Sequence, residues 1–257
     1  MDNEKTQTIP TIPAIRTLRH SNIKPIYKRE LGAYFNSPIA YIFIGVFLVV
    51  GNWLFFQNFF LSNQASMRMY FGILPWIFLF LTPAITMRVW AEEKQSGTEE
   101  LLLTLPVRDA DVVMAKFLAS LTFLAISLGL TLSIPISVAS LGSMDLGPVI
   151  GGYIGAILLG GAYLALGLFI SSLTKNQIVA FILGLAACFL VFIIGADFVT
   201  NSMPGWLGVI FSFFGISSHF YNIARGVLDS RDVIYYLTFI GFFLWLNVKA
   251  VESRNWR

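Results

Sequence analysis

Long apolar runs separated by short polar connections dominate the chain from residue 39 onward. Six of them have the length of a bilayer crossing: Ile39 to Gln57, Tyr70 to Trp90, Phe117 to Ala139, Val149 to Ile170, Ile178 to Asp197, and Val233 to about Val251. A hydrocarbon core of ~30 Å needs ~20 helical residues at ~1.5 Å rise each, and every run meets that requirement. The pattern therefore predicts an all-α polytopic membrane protein with six transmembrane helices. Six crossings place both termini on one side. Residues 1–23 are polar, hold Pro10 and Pro13 and lack periodicity, so they read as a mobile tail ahead of a single transmembrane domain over 24–257.

Two shorter segments carry helical periodicity without the length to cross. In 24–36, Ile26, Tyr27, Leu31, Tyr34 and Phe35 fall on one half of a helical wheel, while Lys28, Arg29 and Asn36 fall opposite. That is the pattern of an N-terminal interfacial helix, with Glu30 also on it; the alternative is an ordinary basic flank. Between the fifth and sixth runs, Pro204 to Ile216 reads P-G-W-L-G-V-I-F-S-F-F-G-I, apolar but short and broken by glycine. It is expected as a re-entrant or surface-lying hairpin on the outer side. The fourth run is rich in glycine, and Gly151, Gly155 and Gly160 are spaced for close helix approach, either within the subunit or against a second copy.

Composition agrees with the pattern: 56% of residues are hydrophobic, 15% aromatic and only 12% charged, against roughly 25% charged in soluble domains. The net charge of +3 needs no nucleic acid to explain it. Fourteen of the seventeen basic residues fall on the side of the termini, and only Arg68, Arg225 and Arg231 fall opposite. Positive charge accumulates on the cytoplasmic side, so both termini are expected there. The first apolar run starts only after a long polar and mixed stretch, so no signal peptide of ordinary layout is expected. The one cysteine, Cys188, lies inside an apolar run and allows no intrachain disulfide.

The longest cytoplasmic connection, between runs two and three, contains A-E-E-K-Q-S-G-T-E-E-L-L-L-T-L-P-V from Ala91 to Val107. Ser96 and Glu99 have the spacing of a capping box, with Gly97 allowing a sharp turn and Pro106 ending the helix. A short helix is expected from Thr98 to Leu105, with Leu101, Leu102 and Leu105 on one face and Glu100 and Thr104 on another. Asp109 is then placed to cap the helix entering run three. The Leu face packs either against the protein's own helix ends or into a groove on a partner. Glu92, Glu93, Glu99 and Glu100 are either a solvated acidic patch or complements to basic residues of that partner.

These residues carry a resemblance. E-E-K-x-S-G-T-E-E-L-L-L-T-L-P, K-R-E-L-x-x-Y-F-x-S-P from Lys28 to Pro38, and H-F-x-x-I-A-R-G-V-L-D-S-R-D from His219 to Asp232 resemble permease subunits of type-2 ATP-binding-cassette (ABC-2) exporters, notably the gliding-motility and nitrous-oxide-reductase-maturation branches. The resemblance implies that the connection forms a cytoplasmic coupling helix docking on a separate ABC ATPase. It also implies a second copy or a related permease as partner, and a bacterial inner membrane location. ATP and Mg²⁺ would then be held by the ATPase, with no cofactor on this chain.

The rest of the sequence fits that reading. No G-x-x-x-x-G-K-[ST] phosphate loop is present, and no nucleophile, base and orienting group can be assembled, so no catalytic residue is assigned. No acid or base lies near the middle of a run, which argues against ion-coupled transport. Arg88 is expected to snorkel, Asn52 and Gln57 to serve helix packing, and Pro75, Pro83 and Pro135 to kink their spans. Asp197 is expected to be interfacial, and His20 and His219 are lone histidines. Few polar groups line any route, which suggests an amphipathic or lipid-like substrate. The rival function is an ATP-driven mechanotransmitter or scaffold acting on a periplasmic partner. An intramembrane hydrolase lacks the paired residues it would need.

Overall fold

A computed structural model describes residues 23–62, 64–98 and 107–253. These residues hold eleven helices and no strand. In chain order they are α1 (Ile23–Phe35), α2 (Pro38–Ser62), α3 (Arg68–Ser96), α4 (Asp109–Leu130), α5 (Ser133–Leu141), α6 (Leu146–Leu173), α7 (Gln177–Ile194), α8 (Asp197–Thr200), α9 (Gly205–Phe214), α10 (Ile216–Ala224) and α11 (Ser230–Glu252). Among the described residues six spans are long and apolar enough to cross a membrane, with α4 and α5 together forming the third. The protein is an all-α polytopic membrane protein.

Several spans differ from the hydropathy-derived bounds. α3 continues past Trp90 to Ser96, and the third span starts at Asp109, well before Phe117. Hydropathy stops at charged residues, whereas helices continue wherever those charges find partners. α7 ends at Ile194, and Asp197 opens the four-residue α8. The third span breaks at Thr131 and Leu132, just before Pro135. Thr131 Oγ1 there donates to the Leu128 carbonyl at 2.7 Å and lies 3.0 Å from the Tyr153 hydroxyl. Pro75 and Pro83 lie inside α3, where Thr82 donates to the Phe78 carbonyl and Thr86 to the Thr82 carbonyl. Hydroxyls of this kind offset the backbone disturbance that prolines introduce at membrane depth.

α6 is the central helix and packs on α3, α4, α7, α10 and α11. Its glycines permit that. A β-carbon on Gly151 would sit 2.6 Å from the Ile223 carbonyl oxygen, and one on Gly155 would sit 3.1 Å from the Ile223 side chain. A β-carbon on Gly160 would collide with Leu124 of α4. The small-residue stripe therefore serves close packing inside the subunit, against several neighbours at once.

α9 and α10 meet at a 74° bend, giving the hairpin expected between the last two spans. It seats on the start of α6, while the end of α6 lies beside the end of α3. The hairpin thus lies at one end of the bundle, and the end of α3 with the start of α4, which flank the 97–108 connection, at the other. α1 and the last turns of α11 lie at the connection end.

Candidate functional site at the base of the connection

α3 stops because Gly97 adopts φ 72° and ψ 4°. A β-carbon in that left-handed conformation costs ~1–2 kcal/mol, which is why glycine ends helices this way. Ser96 closes α3, and the helix it is expected to cap lies outside the described residues. Its hydroxyl turns back to donate to the Glu92 carbonyl at 2.9 Å and lies 2.9 Å from Thr98 Oγ1. Ser96 is still inside α3, where a serine reaches the carbonyl four residues before it. Asp109 is displaced from the expected cap. Arg108 flanks α4 in extended conformation without a side-chain cap, and Asp109 opens the first turn, buried. With Asp111 it lies at the positive end of the helix dipole. Thr98 and Gly97 are exposed; Glu99, Glu100, Leu101, Leu102 and Leu105 lie outside the described residues.

Beneath the connection, Lys116 of α4 is wholly enclosed. Its ammonium lies 2.7 Å from Glu93 Oε1 on α3, 3.2 Å from Glu30 Oε1 on α1 and 3.2 Å from the Val89 carbonyl oxygen. These three acceptors match the three donors of an ammonium group. The same ammonium stands 4.9 Å from the centre of the Trp90 ring. Three helices therefore meet on one cation. Sequence reasoning counted Lys116 only among the basic residues on the side of the termini. The missed signal was V-V-M-A-K-F-L-A over 112–119, a single charge with apolar residues on every side of its helix.

The predicted face of α1 is real, but protein covers much of it. Tyr27 lies 3.0 Å from Thr122 Oγ1, and Tyr34 lies 2.9 Å from Ser120 Oγ with its ring stacked 5.1 Å from that of Phe123. Phe35 meets Phe123 edge-on, and burial pushes the Tyr34 phenol well above its usual range, so it remains a neutral hydrogen-bonding group. Lys28 and Arg29 face outward. Glu92 pairs with Arg88 at 3.0 Å, and Arg88 also donates to Ser37 Oγ at 3.3 Å. On the other flank of α3, Lys94 donates to the Ser172 carbonyl and the Ser171 hydroxyl accepts from the Trp90 and Ala91 amides. The end of α3 is thus gripped by α1, α4 and α6.

Residues 32–249 match the family described as ABC-2 family transporter protein. The chain belongs to the ABC-2 transporter family. This ABC-2 chain is thus the membrane-spanning permease part of an ABC transporter, and membership implies an ABC ATPase partner and often dimerisation. No curated protein matches it.

The far end of the ABC-2 permease holds a second polar cluster that sequence reasoning also missed. His219 is not alone: Nδ1 lies 2.6 Å from Asp232 Oδ1, and Nε2 lies 3.0 Å from the Phe213 carbonyl oxygen. Its ring stacks on Tyr235 at 4.0 Å. Tyr235 and Tyr236 donate to the Phe214 and Ile216 carbonyls across the hairpin bend. Both His219 and Asp232 stand in the H-F-x-x-I-A-R-G-V-L-D-S-R-D motif, so the pair was in view but its contact was not.

Proposed function

We propose that this permease works in an ATP-driven exporter of the bacterial inner membrane, with both termini and the 97–108 connection in the cytoplasm. Two copies would clasp one another above two separate ATPase subunits. The motifs quoted above support the gliding-motility or nitrous-oxide-reductase-maturation branch, and the apolar spans favour an amphipathic or lipid-like cargo. One observation carries the mechanism: Lys116 joins α1, α3 and α4 directly under the connection. A push on a docking segment between α3 and α4 would displace both helix ends. Lys116 would carry that displacement to α1, so three helices would move as a unit.

The test addresses the docking segment. Leu101 and Leu102 replaced by Asp lose roughly 3–6 kcal/mol of apolar burial on a partner and leave carboxylates in its groove. The variant should insert in the membrane, yet fail to copurify with the ATPase and fail to stimulate its hydrolysis. Unchanged binding to the ATPase would refute the reading. So would a variant that does not fold, since the leucines would then be packing on their own spans.

A further inference from the structure

A cavity of about 310 Å³ opens between α1, α2 and α3, beside Lys116. Its polar part is lined by Arg29, Glu30, Ser37, Arg88, Glu92, Glu93, Ser96 and Thr98, and Ile39, Phe43, Ala84 and Ile85 are among its apolar residues. A second cavity, of about 470 Å³, begins where the first ends, because both share Phe43 and Ala84. Its wall is apolar throughout, with Val46, Phe47, Val50, Ile77 and Phe80 among its residues. The two make one groove, charged at the connection end and dry beyond it. From Ala84 back to Ile73 the dry part follows α3 for about 16 Å at ~1.5 Å per residue. That is close to half of a hydrocarbon core of ~30 Å, the depth of one leaflet.

The charges at the polar end are unevenly committed. Glu30 and Glu93 are both engaged by Lys116. Arg88 shares itself between Glu92 and Ser37 with 30% of its side chain exposed. Arg29 lines the cavity and makes no hydrogen bond or ion pair among the described residues. Two guanidinium groups therefore flank the mouth with capacity to spare, and guanidinium matches the geometry of a phosphate. A free phosphate has nothing to place in the dry part. A plain hydrocarbon has nothing to offer the arginines.

We infer that the groove holds one membrane glycerophospholipid, its phosphate on Arg29 and Arg88 and an acyl chain along Phe43, Phe47 and Phe80. The site is complete within one chain and does not depend on the direction of transport. It gives α1 a second tie to α2 and α3, alongside Lys116.

Native mass spectrometry of the purified permease tests this, with phosphatidylglycerol, diacylglycerol of the same chains and glycerol phosphate as probes. One phosphatidylglycerol per chain should be retained at least tenfold better than diacylglycerol, and glycerol phosphate should not displace it. Arg29→Gln should lower retention by roughly tenfold, as loss of a charge-assisted contact does. That residue is exposed and makes no hydrogen bond or ion pair among the described residues, so the fold is not at risk. Ala84→Leu, which narrows the junction of the two cavities, should also lower it. Lys28→Gln, exposed on the same helix but outside the groove, should leave it unchanged. Equal retention of diacylglycerol, displacement by glycerol phosphate, or an equal loss in Lys28→Gln would overturn the assignment. So would lipid retention unchanged in Ala84→Leu, which would leave the dry part to a second copy of the chain.

Discussion

Replacing Lys116 by methionine keeps an unbranched apolar stem and removes the charge. Contacts of 2.7, 3.2 and 3.2 Å then disappear together, and Glu30 and Glu93 are left facing each other across a neutral group. Their side chains are only 13% and 16% exposed, so water compensates poorly. Breaking such a buried pair costs about 3–5 kcal/mol. The residual exposure favours the lower end, about 3 kcal/mol, which is a factor of roughly 100 in the population of molecules with α1 detached. Trypsin can read that population, because Lys28 and Arg29 lie exposed on α1 but are cleavable only when the helix opens. Cleavage there should accelerate roughly a hundredfold in Lys116→Met. Adding Glu30→Gln and Glu93→Gln should recover most of the loss, since neutral partners leave no unpaired charge. The reasoning is refuted if cleavage is unchanged in the single variant, or if the triple variant is cleaved as fast as the single one.

Three further outcomes are expected. Gly97→Val should cost ~1–2 kcal/mol through its left-handed backbone alone, because nothing lies within 4 Å of an added β-carbon. It should reduce ATPase stimulation without dissolving the complex, whereas Gly97→Asn, tolerant of that conformation, should stay near wild type. Gly151→Ala should lower thermal stability in detergent by ~1–3 kcal/mol, since the methyl would meet the Ile223 carbonyl at 2.6 Å. Gly72→Ala, with open space around it, is the control. Asp232→Asn should weaken the 2.6 Å contact with His219 by ~1.5–3 kcal/mol and raise protease cleavage between residues 200 and 230. Unaltered cleavage would assign the hairpin's hold to Tyr235 and Tyr236.

The number of crossings, the extra helix before the first span and the bent hairpin before the last were legible in the sequence alone. Bilayer thickness imposes a length on every apolar run, and a helix of ~3.6 residues per turn shows its faces in the order of its residues. Both are local properties. Leu101, Leu102 and Leu105, expected on one face of a docking helix, lie outside the described residues. What covers a face is not local. Periodicity marked Tyr27 and Tyr34 as one side of α1, and only tertiary structure set Thr122 and Ser120 against them. The glycines of α6 announced close approach without naming a neighbour. Glu93 read as part of a solvated patch or a partner contact, and Lys116 as one basic residue among those on the side of the termini. They point at each other, with Glu30 arriving from 86 residues away, because a buried charge must find its opposite through space and the chain reports only order along its length.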